Sequence, residues 1–183
     1  MGEVFKKKKL LLLGGLKYLL PVIESAHDLD VHVITCDNVP ENIAHKHSDE
    51  QWNISIFEKE IILDRCEREG INGIMSFAVD PGVLTAAYVS EKMNIPGIPL
   101  EAAEILQNKV LFRDFLDQNG FNVPQSRSIN DTENLIEKIK GLNFPLFVKP
   151  SDSAGSKGVM KINGISDLEA AILNAMKFSM SET

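Results

Sequence analysis

The sequence predicts an α/β protein with a parallel sheet and outer helices, followed by a smaller α+β unit. Over residues 1–100, short apolar runs alternate with segments of helical periodicity, which is typical of parallel sheets. The pattern changes from residue 101, where a helical segment without Pro or Gly leads into further strands and helices. We therefore place one domain at residues 1–100, and a linker helix with a second domain at residues 101–183.

The first domain repeats the order strand, turn, helix. Its predicted strands are 10–13, 31–36, 71–77 and 95–99. The first strand stops at the pair Gly14-Gly15, and a helix is predicted from about Pro81, which suits a first helical position, to Met93. This order predicts a Rossmann-like parallel sheet that is buried on both faces.

The second domain differs in both pattern and charge. Its predicted strands are 126–129, 145–149 and 159–162, and its predicted helices are a long or broken one over 101–119, one opened by Asp131 or Thr132, and one ending near Phe178. Residues 22–104 carry 5 basic and 16 acidic side chains, whereas residues 105–161 carry 8 basic and 6 acidic ones. We therefore expect any anion to bind in the second domain.

Composition and motifs exclude several other classes. The 183 residues carry a net charge of −7 and 44% hydrophobic side chains, as expected of a globular chain. Cys36 and Cys66 lack the spacing of a zinc or disulfide framework, and the apolar run at residues 10–13 is too short for a membrane segment. We expect a cytoplasmic protein without nucleic-acid binding, because no basic stripe with interleaved aromatic residues is present.

The stretch from Phe144 to Gly158 is the most informative one. An apolar strand carries Lys149 at its end, Pro150 keeps that residue extended, and a Ser- and Gly-containing loop follows. Backbone N–H groups of such a loop can face phosphate oxygens, and a lysine beside it suits a polyphosphate. The order of residues is not that of a Walker A loop, and an ordinary hairpin with a lysine at its mouth is the simpler alternative.

Several motifs in fixed order resemble the ATP-grasp superfamily of carboxylate–amine ligases. They are Asn108-Lys109, Arg113, Leu116, the segment 120–124, Phe147-Val-Lys-Pro and the loop 151–158. Residues 1–100 resemble the Rossmann-like domain that precedes ATP-grasp in carbamoyl phosphate synthase large chains and related ligases. The resemblance covers nearly the whole chain and looks like the N-terminal portion of such an enzyme.

This resemblance implies the cofactors ATP and Mg²⁺ and substrates that are a small carboxylate and an amine. Lys109 and Lys149 would contact the nucleotide phosphates. The loop would close over them as a lid, with Ser151, Ser153, Gly155, Ser156 and Gly158 as its candidate binding residues. The candidate substrate-binding residues are Gly14, Gly15 and Asp80. The simpler structural alternatives to substrate binding are an ordinary turn at the glycine pair and a helix N-cap at Asp80.

Family members continue well beyond the length of this chain, so we expect a fragment whose magnesium ligands lie in the missing C-terminal half. The fragment should bind nucleotide weakly without turnover. Its catalytic residues, its substrates and a homo-oligomeric state are left open. The alternatives are a non-catalytic nucleotide- or partner-binding module and a nicotinamide-dependent oxidoreductase, although the GxGxxG fingerprint that the latter needs is absent.

One more cluster invites a functional interpretation. His45, His47, Asp49 and Glu50 could ligate a metal, but no rigid third ligand can be located, so we expect no metal site there. Trp52 and Phe57 are predicted to anchor this segment on the sheet.

Overall fold

The structure is a computed structural model that describes residues 7–179. The chain divides into two compact units, with the boundary between Ala103 and Glu104. Among the described residues, every helix is too short or too polar to span a membrane.

The first unit is a four-stranded parallel sheet with helices. Its strands are β1 (Lys9–Leu13), β2 (His32–Cys36), β3 (Glu50–Trp52) and β4 (Gly73–Ser76). Its helices are α1 (Leu20–Asp28), α2 (Lys59–Glu69) and α3 (Val83–Lys92), and α4 (Leu100–Gln107) runs across the unit boundary. The strand order is β3-β2-β1-β4, so β1 lies inside the sheet with a neighbour on each side.

The burial of β1 on both faces explains its continuous run of leucines. Leu11 and Leu13 are fully buried in one apolar cluster together with Trp52. Leu12 belongs to a second cluster together with Leu19. Because alternate residues of a strand point to opposite faces, both faces of the sheet are covered. The predicted parallel α/β fold is confirmed.

Two details of the first unit differ from the sequence-based expectation. Strand β3 was not predicted, because three residues give no readable periodicity. The predicted strand at 95–99 is wrong, since Pro96 and Pro99 cannot donate to a ladder and Ile95 N bonds instead to Ser90 O at 3.0 Å.

The two aromatic residues that were predicted to anchor the segment around β3 have different outcomes. Trp52 is fully buried, and its Nε1 donates to Glu50 Oε1 at 2.9 Å. Phe57 is 59% exposed, so its predicted anchoring role is wrong.

The second unit is an α+β unit built around a two-stranded antiparallel sheet. Its strands are β5 (Leu146–Val148) and β6 (Met160–Ile162). Its helices are α5 (Lys109–Gln118), α6 (Leu135–Lys138) and α7 (Leu168–Met176). Ile162 packs with Leu168 and Ile172 of α7 in the apolar core of this unit.

The elements of the second unit are shorter than the sequence predicts. No strand forms at 126–129, a segment that is largely exposed, because within residues 7–179 β5 pairs with β6 alone. The helical segment 101–119 breaks at Asn108, whose side chain caps α5 by accepting from Val110 N at 2.9 Å. The helix expected from Asp131 or Thr132 begins only at Leu135 and makes a single turn.

Candidate functional site

Lys109 joins the start of α5 to the loop 151–158. Its backbone N donates to Ser151 O at 2.8 Å. Its Nζ donates to Ser153 O at 2.6 Å and lies 3.5 Å from Ser151 O. The ammonium group therefore holds the first part of the loop by its backbone carbonyls.

Lys149 follows β5 at the start of the same loop, and Pro150 after it is buried. Its side chain is half-buried and makes no hydrogen bond or ion pair with any residue in the part of the chain that the structure describes. A strand end is a rigid support, so the position of Lys149 is set by the pairing of β5 with β6.

Both lysines line one cavity of about 900 Å³ within the second unit. Besides them, its charged lining residues are Arg113, Asp114 and Arg127. Within the part of the chain that the structure describes, four cationic residues and one carboxylate therefore line the cavity, although the overall charge of the chain is negative. The remaining lining includes apolar side chains of α7 such as Ile172 and Met176. A cavity with this charge favours an anion.

The lowered pKa values of the two lysines also favour an anion in this cavity. Partial burial lowers the pKa of the Lys149 ammonium, and the positive charges of Arg113 and Lys109 lower it further. Partial burial also lowers the pKa of Lys109, with Asp152 opposing that shift and Arg113 adding to it. The cations repel one another across the cavity, and a bound anion would relieve that repulsion.

The remaining candidate residues of the loop form a turn. Ser151 lines the cavity, whereas Gly155, Ser156 and Gly158 all have positive φ angles, of 68°, 58° and 70°. Gly155 and Ser156 are exposed, so the tip of the loop reaches into solvent. The structure thus supplies a glycine-dependent turn next to the cavity.

Gly158 is the glycine of the loop that packs tightly. A Cβ at this position would lie 2.9 Å from Phe178 Cδ2 and 3.0 Å from Pro150 Cγ. We expect Gly158→Ala to destabilise the second unit by about 1–3 kcal/mol, because it adds both a steric clash and an unfavourable φ. Urea unfolding followed by circular dichroism measures the change.

Gly164→Ala is the matched control for that substitution. The nearest atom to a Cβ at this position is Ser166 Oγ at 4.0 Å, and the backbone of Gly164 is extended. A Gly158→Ala variant that is as stable as Gly164→Ala would contradict the packing described for the loop.

The candidate substrate residues lie in the first unit, after the carboxyl ends of neighbouring strands. Gly14 follows β1, has a φ of 108°, and donates its N–H to Cys36 O at 2.7 Å. A Cβ on Gly14 would lie 2.9 Å from a methyl of Val79, the residue before Asp80, so the two turns are adjacent. Asp80 is exposed and caps no helix with its side chain, which removes the N-cap interpretation.

The glycine pair is buried, and its neighbours explain why side chains are absent. A Cβ on Gly15 would lie 2.6 Å from Asn42 Cβ and 2.9 Å from His45 Nε2. The His45 ring is held by a 2.7 Å hydrogen bond between Nδ1 and Thr35 Oγ1. Its Nε2 has no partner among the described residues, and no group of three or more metal-ligating side chains occurs among them.

Sequence reasoning did not identify Arg113 and Arg127 as lining residues of the site. Arg113 was noted only as part of a motif, although its position four residues after Lys109 on one helix signals a shared face. Arg127 lies in a segment without regular structure, so no periodicity could place it.

Comparison with known proteins finds a matching family model and several similar proteins. Residues 116–181 match the family model described as D-ala D-ala ligase C-terminus. The carbamoyl phosphate synthase large chain of Clostridium botulinum (strain Loch Maree / Type A3) is 25% identical over 191 residues, covering 96% of this chain and 18% of the relative. The D-alanine–D-alanine ligase of Lactococcus lactis subsp. cremoris (strain MG1363) is 29% identical over 105 residues, covering 57% and 24%.

The fold also matches a solved structure. N5-carboxyaminoimidazole synthetase from Staphylococcus aureus, complexed with ADP, superposes with a TM-score of 0.75 at 18% sequence identity. The match covers 93% of this chain and 46% of that one. The chain therefore spans less than half the length of each of these relatives.

Proposed function

We propose that the chain belongs to the ATP-grasp superfamily and provides the phosphate-binding part of an ATP-dependent carboxylate–amine ligase. This proposal rests on the charge of the cavity in the second unit. Among the described residues, its lining includes Lys109, Lys149 and two arginines but one carboxylate. A polyphosphate matches this excess of positive charge, and the adjacent loop supplies backbone groups to cover it.

The proposed reaction has two steps. A carboxylate oxygen of one substrate attacks the γ-phosphorus of ATP, the bond to the β-phosphate oxygen breaks, and ADP leaves. The amine nitrogen of the second substrate then attacks the acyl carbon of the resulting acylphosphate, so that phosphate leaves and a carbon–nitrogen bond forms. The amine loses its proton in this second step.

The residues of this chain contribute charge and exclusion of water. Lys149 and Lys109 would offset the negative charge that accumulates on the transferred phosphate. The loop 151–158 would cover the reacting groups, so that water does not hydrolyse the acylphosphate. Mg²⁺, when bound, would neutralise further phosphate charge, and the described residues provide no cluster of ligands to which we assign it.

We assign the loop residues to the nucleotide and the turns of the first unit to the substrates. Gly14, Gly15 and Asp80 lie after the carboxyl ends of parallel strands, the usual place for ligands in such sheets. In this proposal the domain at residues 1–100 binds the substrates and the domain at residues 101–183 binds the nucleotide. We propose that the protein acts in the cytoplasm.

Titration calorimetry with the 183-residue chain tests the proposed function. We expect ATP and ADP to bind, and NAD to bind far more weakly, because NAD carries two linked phosphates and no terminal polyphosphate. No heat of binding with ATP, or tighter binding of NAD, would contradict the proposal. Phosphate release from ATP by this chain with mixed carboxylates and amines would contradict the expectation that it binds nucleotide without turnover.

A further inference from the structure

The four cations of the cavity do not have equal roles. Lys109 binds the carbonyl of Ser153. Arg127 donates to Ser126 O at 2.9 Å and approaches Lys140 O at 3.5 Å. These two side chains therefore hold backbone segments in place.

Arg113 and Lys149 are different. Both are half-buried, and neither side chain makes a hydrogen bond or ion pair within residues 7–179. A guanidinium has five N–H donors, and partial burial without a partner is costly for such a group. The two side chains are therefore the cationic groups of the cavity that a ligand can bind without competing with a bond among the described residues.

The position of Arg113 places it beside both lysines. It follows Lys109 by four residues on α5, so the two side chains share one face of the helix. The charge of Arg113 also lowers the pKa of Lys109 and of Lys149, which shows that its field reaches both ammonium groups. Among residues 7–179, Asp114 is the single carboxylate in the lining, and one carboxylate cannot neutralise all these charges.

We infer that Arg113 is a third anion-binding residue of the cavity, whose guanidinium holds a phosphate group adjacent to the one that Lys149 contacts. This inference rests on the proposed function and adds a residue that would set the preference of the site for a polyphosphate. A planar guanidinium binds two oxygens of one phosphate in a fixed geometry, whereas an ammonium acts as a point charge. A site with both groups selects a polyphosphate over a single phosphate.

Calorimetric titrations with sodium tripolyphosphate, pyrophosphate and inorganic phosphate test this inference. For Arg113→Ala we expect a loss of at least about tenfold in affinity for tripolyphosphate and a smaller loss for phosphate. Arg113→Lys keeps the charge and should recover only part of the affinity, because the fork of donors is lost. Lys140→Ala is the charge-matched control, since Lys140 is exposed and does not line the cavity.

The outcomes separate the inference from the proposed function. If Lys149→Ala weakens tripolyphosphate binding while Arg113→Ala binds like Lys140→Ala, the role of Arg113 is overturned and the proposed function stands. If the unsubstituted chain does not bind tripolyphosphate, both are overturned. If Arg113→Ala does not fold, Arg113→Lys decides, and binding identical to that of the unsubstituted chain would overturn the inference.

Discussion

Lys149→Ala is expected to weaken ATP binding to this chain by roughly 10- to 100-fold, the range for losing one charge-assisted hydrogen bond. The Lys149 side chain lines the cavity and is half-buried. It makes no hydrogen bond or ion pair within the part of the chain that the structure describes. Its removal should therefore leave the fold intact while removing an attraction for phosphate. Calorimetric titration measures the effect, with Lys140→Ala as the control.

Lys109→Ala is expected to loosen the loop 151–158 as well as to remove a positive charge from the cavity. The Lys109 ammonium donates a hydrogen bond to Ser153 O at 2.6 Å, and the substitution removes that bond. Without it the loop 151–158 should open more often, and trypsin should cut faster after the exposed Lys157. Lys149→Ala should not accelerate that cleavage.

An ATP affinity of Lys149→Ala equal to that of Lys140→Ala would contradict the phosphate-binding role of Lys149.

Trp52→Ala should lower the free energy of unfolding of the first unit by about 3–5 kcal/mol, the range for removing a large buried aromatic side chain. The Trp52 side chain is fully buried in the core of this unit, and Arg65 stacks 4.3 Å from its ring centre. Urea unfolding followed by circular dichroism measures the change without relying on the fluorescence of Trp52, the sole tryptophan.

Phe57→Ala is the matched control, because Phe57 is 59% exposed. We expect a change below about 1 kcal/mol. Equal destabilisation by the two substitutions would show that the burial of Trp52 does not carry the stability assigned to it.

Periodicity predicted the elements whose side chains face a core. The run Leu10–Leu13 indicated β1 because a central parallel strand is apolar on both faces. The alternation of strands and helices then predicted the parallel sheet, which the structure confirms. Strand β3 escaped prediction, since its three residues contain Glu50 and Gln51 beside Trp52 and resemble a polar loop.

Long-range pairing explains the remaining differences. The segment 126–129 was predicted to be a strand, but a strand needs a partner, and among the described residues β5 pairs with β6 alone. The place of Lys149 at the end of β5 and of the glycines in the loop after it could be predicted from their order along the chain. The hydrogen bond from Lys109 to Ser153 could not, because residues 44 positions apart meet only through the fold.

Chemical footprinting of lysines tests whether the cavity of the second unit binds the polyphosphate of ATP. The chain is acylated with an amine-reactive ester with and without saturating ATP, and each lysine is quantified by mass spectrometry. We expect ATP to protect Lys149 and Lys109 several-fold, while the acylation of Lys140 stays unchanged. Acylation of Lys149 at the same rate with and without bound ATP would contradict the assignment of the cavity as the polyphosphate site.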